Sequence, residues 1–377
     1  MTRDATGHCR RCLLPAGRHH VRLDASGLCN YCRHWDETEA SILNVERNRP
    51  RLVERLRRFR GRFHYDAAVG LSGGKDSTYV LHRLMSAYGA NVMAITFDNG
   101  FLTDYAWSNI QAISRAAGVD HIVYQPDWEA YRAFYRAALL RLGDPCVACS
   151  IGGYILSVRG CTDLRIPFFV HGRSPMQMFR RWYPGTRDLS IRVLQRNLKE
   201  HSIRGLRSDY RSIAVRMQLA LTWLVPDFRL RRRIHRELFG GGLGDRYMVP
   251  EFLAFFLFEP YDETKIVEHL EALDAGYRRP EGHTILGHGD CLIHDVCADL
   301  YERQHGISRV LPDVAVMLRR GMVTQEEARE IIAANTPSED DVERSTGHLL
   351  ERLEMSRAEF DAIVDRLTRK RAWLPFG

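Results

Sequence analysis

The residues best equipped for chemistry are contiguous: Ser72-Gly73-Gly74-Lys75-Asp76-Ser77, preceded by the apolar run Ala67-Ala68-Val69-Gly70-Leu71. An amphipathic pattern follows, with Tyr79, Val80, Leu81, Leu84 and Met85 apolar. The order is strand, tight glycine turn, helix N-terminus. Gly73 and Gly74 let the backbone approach a phosphate, and the first free N–H groups of a helix point at it. Ser72 and Ser77 add hydroxyl donors, and Lys75 a cation. The stretch predicts an anion cradle for a nucleotide. It is not a Walker A loop: position 69 is valine where that loop has its first glycine, and Asp76 follows the lysine.

A second set of reactive side chains is the nine cysteines, of which six fall in C-x-x-C pairs. Cys9, Cys12, Cys29 and Cys32 have the C-x₂-C-x₁₆-C-x₂-C spacing of one tetrahedral zinc site. So few residues with few large apolar groups cannot fold unaided, so the metal would supply the stability. Cys146 and Cys149 form the inner pair, with Cys291 and Cys297 further on. Cys146, Cys149 and Cys291 suit either three corners of a [4Fe-4S] cluster or a second metal ion shared with His288 or His294. Asp144 and Asp290, beside these cysteines, are the candidate general bases among many histidines.

Elements must position these groups. Val92–Phe97, His121–Tyr124 and Ile166–Val170 read as further strands, with a helix over 104–117. Strands alternating with helices predict an α/β fold, a doubly wound parallel sheet with ligands at the carboxyl ends of its strands. Asp98 and Asn99 leave their strand on that edge. The boundaries expected are a zinc knuckle at 1–35, a linker helix at 36–64, a core at 65–185 resumed at 249–311 with the inner cysteines, a basic helical insertion at 186–248, and a helical C-terminal region at 312–377. Residues 173–236 carry sixteen Arg or Lys against four Asp or Glu, an imbalance that favours an anionic ligand. Pro250–Phe258 reads as a core element. Thr324-Gln325-Glu326-Glu327 and Ser356-Arg357-Ala358-Glu359 each resemble a helix start.

The 377 residues suffice for more than one domain, and 45% hydrophobic content supports a buried core. A net charge of +7 suits anionic partners such as ATP, a nucleotide sugar or RNA. No apolar run is long enough to span a bilayer and no signal-peptide core follows Met1, so a cytoplasmic location is expected.

SGGKDS resembles the SGGxDS signature of the PP-loop ATP pyrophosphatases, which split ATP between the α and β phosphates and leave AMP on a substrate oxygen. Within them the chain resembles the N-acetyl sugar amidotransferases. The matching pieces are Cys9-x-x-Cys12, Asp24-Ala25-Ser26-Gly27-Leu28-Cys29-Asn30-Tyr31-Cys32, the glycine loop, Cys146-x-x-Cys149, His288-Gly289-Asp290-Cys291, and Leu318 to Ala328. The resemblance implies conversion of an acetamido sugar or nucleotide sugar to an acetamidino product in surface glycan synthesis, with ammonia from a separate glutaminase subunit. It implies ATP, Mg2+ and Zn2+. Ser72, Gly73, Gly74, Lys75, Asp76 and Ser77 would take the phosphates, Phe97 and Asp98 the adenosine, and Lys75, Asp76 and Asp144 would be catalytic. His171-Gly172-Arg173 departs from the acidic or amide residue usual after the fourth strand, and the basic insertion is long for the family. The rival expectation keeps the ATP step and makes sulfur the nucleophile, acting on tRNA or a small heterocycle with a [4Fe-4S] cluster. A third is a nucleotide-binding module without catalysis.

Overall fold

Five short apolar runs form the sheet: β1 Ala67–Gly70, β2 Val92–Phe97, β3 His121–Tyr124, β4 Phe168–His171 and β5 Glu251–Ala254. The computed structural model describes residues 7–17, 20–180, 221–239, 250–273, 275–280, 282 and 284–369. All strand pairs are parallel, in the order β3-β2-β1-β4-β5. Val69 lies opposite Ala94 on one side and Val170 on the other, so β1 is central.

Side-chain alternation explains why both faces are covered. Ala67, Val69, Ala94, Phe168 and Val170 share a core with Val80, Leu81 and Leu84 of α3 (Lys75–Ser86) and with Ile110 and Ile113 of α4 (Asp104–Ala117). The intervening residues Ala68, Met93, Ile95 and Phe169 face the other way, against Val158 and Cys161 of α5 (Cys146–Asp163). A strand apolar at every position needs a helix layer on each side. The sheet is therefore doubly wound, as the sequence predicts.

Three local readings change. The fourth strand starts at Phe168, because Pro167 has no N–H for the ladder and instead accepts from Glu251 N through its carbonyl, at 2.8 Å. The single linker helix is two: α1 (Asn30–Ile42), which starts inside the cysteine knuckle, and α2 (Val45–Phe59), whose N-terminus Asn44 caps. Pro250–Phe258 splits into β5 and a 3₁₀ turn at Phe255–Leu257. Most of the basic insertion lies outside the described residues. Its described end is the helix Phe228–Phe239, which buries Ile234 and Leu238 and leaves Arg229, Arg232 and Arg236 exposed. The C-terminal region holds the helices Leu311–Arg319, Gln325–Ala334, Glu339–Leu353 and Arg357–Arg369, and both predicted starts lie there. Among the described residues no helix is long and apolar enough to cross a membrane.

Candidate functional site

β1 continues through α3 to β2 on one side, while its other neighbour β4 arrives from later in the chain. That reversal opens a crevice at the carboxyl ends of β1 and β4. A cleft of about 240 Å³ sits there, lined by Ser72, Gly74, Lys75, Asp76 and Ser77 on one wall and by His171, Gly172, Arg173 and Gln177 on another. Tyr105, Tyr277, His288 and Asp290 close the third side.

The loop after β1 is fixed by its own hydrogen bonds. Ser77 Oγ accepts from Ser72 N at 3.2 Å and donates to Gly74 O at 3.0 Å, while Thr78 Oγ1 donates to the same carbonyl. Gly74 caps α3 without a side-chain hydrogen bond, so the first-turn N–H groups remain directed at the cleft. Gly73 has φ +81°, and a Cβ there would fall 2.3 Å from Ala106 O. Only glycine lets the loop seat on α4. Asn109, fully buried, donates to Gly73 O and so locks that seat. Gly172 is needed for a different reason: its Cβ would meet the Asp76 backbone at 2.9 Å, so glycine brings the end of β4 against α3.

Lys75 sits among carboxylates. Its Nζ is 3.3 Å from Glu263 Oε1 and 3.8 Å from Asp76 Oδ2. Burial opposes its charge, but Asp76 and Glu263 more than offset this and hold it above its ordinary range. Burial, with Glu263 and Asp290 adding to it and Lys75 opposing, pushes the Asp76 carboxyl up to about 6. Burial also raises Asp290. His171 is pushed down to about 3, by burial first and then Arg173, and His288 well down for the same first reason. Both histidines face the cleft neutral. A raised carboxyl is protonated below its new value, so if the cleft turns over ATP, the reading proposed below, kcat/KM for ATP should rise with pH through about 6. That limb should vanish in Asp76→Asn and survive in His171→Gln; the reverse pattern would assign it to the histidine.

Three expected site residues lie elsewhere. Phe97 and Asp98 end β2, one strand further from the crevice, and do not line the cleft. The Phe97 ring packs on Tyr131, while Asp98 accepts from Gly100 N at 2.9 Å and from Gln125 Nε2 at 3.0 Å. Asp144 is also outside the cleft, and accepts from Cys146 N at 2.9 Å at the start of α5. Its short side chain holds a helix start, which accounts for the Asp-Pro-Cys order.

The inner cysteines do converge. Asp144, Cys146 and Cys297 have ligand atoms within 4.8 Å of one another. Cys149 and Cys291 lie outside that trio, though both feel the charge of Cys146. Cys297, on the helix His294–His305, also stands beside Cys146, a neighbour that the expected set of Cys146, Cys149 and Cys291 did not include. Arg309 Nη2 donates to Cys146 Sγ at 3.4 Å and Asn99 Nδ2 to Cys149 Sγ at 3.2 Å. A hydrogen bond from Cys297 holds Cys146 below the usual thiol range, whereas burial pushes Cys149 up to about 11 and Cys291 well up. The segment bearing Cys291 also bears Asp290, and it is pinned to the β2–α4 loop by Leu292 N→Phe101 O at 2.9 Å. One short segment thus joins the cleft to the cysteines.

The N-terminal cysteines form a buried metal-binding group, with all four sulfurs within 4.8 Å. Cys9 and Cys32 sulfurs are 3.7 Å apart, and those of Cys12 and Cys29 3.5 Å. Backbone N–H groups aim at the sulfurs: Cys29 N donates to Cys9 Sγ at 3.3 Å and Cys32 N to Cys29 Sγ at 3.5 Å. The second of these lies within one C-x-x-C turn, and the first ties the two pairs together. Arg319, from the matching piece Leu318 to Ala328, lies against Cys12, a contact that nothing in that piece announces.

Residues 300–374 match the family model described as "LPS biosynthesis protein WbpG-like, C-terminal domain". The resemblance carried by the N-terminal motifs is thus supported from the other end of the chain. No curated protein matches significantly. Among similar solved structures is the U34-tRNA thiolase NcsA from Methanococcus maripaludis with its [4Fe-4S] cluster, at 15% identity and a TM-score of 0.34, covering 86% of this chain and 88% of that one. That likeness is too distant to bear on the reaction.

Proposed function

We propose that the chain is an ATP-dependent amidotransferase of the N-acetyl sugar type, acting in surface-glycan synthesis on an acetamido or nucleotide sugar. The observation that supports it most is the uncapped α3 N-terminus with Lys75 at the crevice between β1 and β4. The match of residues 300–374 to a lipopolysaccharide biosynthesis domain adds the metabolic setting.

An amide oxygen is a poor leaving group. In the proposed reaction it attacks the α-phosphorus of ATP; the new P–O bond forms as the bond to the bridging oxygen breaks, and pyrophosphate departs. Lys75, Ser72, Ser77 and the first N–H groups of α3 take up the charge on that pyrophosphate. Ammonia then attacks the activated carbon, AMP leaves with the former amide oxygen, and loss of a proton gives the amidine. His171, His288, Arg173 and Gln177 face the acceptor, and the neutral imidazoles can hydrogen-bond it without competing for phosphate. Asp76 and Asp290, both lining the cleft, would hold magnesium, and Asp76 Oδ1 is buried without a hydrogen-bond partner. That ion would share the phosphate charge. Ammonia would come from a glutaminase partner.

The N-terminal group suits zinc. A tetrahedral ion with Zn–S bonds of about 2.3 Å sets sulfurs about 3.8 Å apart, close to the 3.5 and 3.7 Å observed. Four separate irons of a cubane would spread them further. The inner cysteines support a second reading, sulfur transfer with a [4Fe-4S] cluster held by Cys146, Cys149 and Cys291 or Cys297, because these converge beside Asp290. Metal, iron and sulfide content after anaerobic purification separates the two. Zinc without iron favours nitrogen transfer, while about four irons lost in Cys146→Ala favours sulfur.

A further inference from the structure

A buried charge needs a partner, and Arg319 has an unusual one. It ends the helix Leu311–Arg319 with 5% of its surface exposed. Its Nη2 points at Cys12 Sγ at 3.8 Å, and its guanidinium carbon stands over the rings of Tyr31 and Trp35 at 5.5 and 5.7 Å. Among the described residues it makes no salt bridge to a carboxylate, and its Nε is buried without a hydrogen-bond partner.

Burying an arginine costs several kcal/mol unless an opposite charge sits beside it. Four neutral thiols supply none, and two aromatic faces supply only part. Four thiolates around a divalent ion carry a net charge of minus two. We infer that Arg319 is the counter-ion of the tetrathiolate metal centre, and that through it metal binding by residues 9–32 holds the C-terminal helices in place. This rests on the metal-binding reading of the four cysteines and goes beyond it.

The contacts around Arg319 make the coupling physical. Arg11 Nη2 donates to Arg319 O at 2.7 Å while pairing with Asp36 at 3.1 Å. Arg320 pairs with Glu39 of α1 at 3.5 Å, and Gln325 hydrogen-bonds Arg10 O. The turn between the helices Leu311–Arg319 and Gln325–Ala334 therefore sits directly on the knuckle. Loss of the metal converts Arg319 from a paired to an unpaired buried charge, and that turn is where the penalty falls.

The test is chelator competition for Zn2+ on the full chain, with hydrogen exchange of residues 311–334 before and after metal removal. Arg319→Met should bind Zn2+ about 10- to 100-fold more weakly, the range usual for partners that hold metal ligands. Arg319→Lys should recover part of that loss. Gln325→Ala, which severs a neighbouring docking contact without touching sulfur, should stay near the wild-type affinity. In the wild type, metal removal should speed exchange in 311–334, and this needs no variant to fold. Unchanged Zn2+ affinity in Arg319→Met, or exchange there indifferent to metal, would overturn the counter-ion role while leaving the metal centre standing. A wild-type chain that binds no Zn2+ would overturn both.

Discussion

Lys75→Met should reduce AMP formation at saturating ATP by about 10²- to 10³-fold, the effect of removing one preorganised charge from a transition state. The reason is geometric. Lys75 is the first residue of α3 and lines the cleft beside the N–H groups of the same turn. It is held there by Glu263 at 3.3 Å and Asp76 at 3.8 Å, so its Nζ is already placed when ATP arrives. Methionine keeps the length and apolar stem but leaves two carboxylates facing each other without a cation, which raises both and weakens phosphate binding. The check is initial rate together with a melting curve. A folded variant within about threefold of wild type would contradict the assignment, since a shift that small is under 1 kcal/mol. Glu263→Gln, which frees Lys75 without removing it, should remain active.

The second large effect is expected at the knuckle. Cys29→Ser should lose its metal, and residues 9–32 should exchange like an unfolded chain. Cys29 does two things at once: its sulfur belongs to the metal-binding group, and it caps α1 by accepting from Cys32 N. Structural zinc contributes about 10–16 kcal/mol of folding free energy in peptides of this kind, far above what Leu14, Val21 and Tyr31 supply by burial. Because α1 starts at Asn30, the damage should spread along that helix. Metal content by atomic absorption and exchange by mass spectrometry check this. A serine variant that retains a full equivalent of metal and native protection would show that the sulfur is dispensable.

The sequence disclosed the parts whose physics is local. A strand, two glycines and a helix start lie in one short stretch, so the loop at Ser72–Ser77 and its sheet neighbours could be read directly. The C-x-x-C pairs likewise carry their spacing in the chain. Glu263, which pairs with Lys75, and Tyr105 and Tyr277, which line the cleft, were missed because they come from remote segments, and an isolated Glu or Tyr carries no periodic signal; His288 was singled out beside the cysteines as a metal ligand but lines the cleft. Arg319 was missed for the same reason, as nothing in Leu318-Arg319-Arg320 says that one arginine is buried. Asp144 lies outside the cleft, where its carboxylate accepts from Cys146 N and stands with Cys146 and Cys297, a placement that its neighbourhood in the chain does not separate from one at the cleft. Phe97 and Asp98 sit at the predicted strand end, but the crevice opens between β1 and β4, and strand order is not written in any one strand.

The most direct test of the central claim follows the acceptor oxygen. A UDP-linked N-acetyl sugar labelled with ¹⁸O in its acetamido carbonyl is incubated with the full chain, ATP, Mg2+ and ammonium, and the nucleotide product is read by mass spectrometry. Adenylation of the amide oxygen predicts AMP carrying one ¹⁸O, with pyrophosphate and an amidine formed in equal amounts and no label without the enzyme. Unlabelled AMP, or ADP with phosphate, in the presence of amidine product would contradict it.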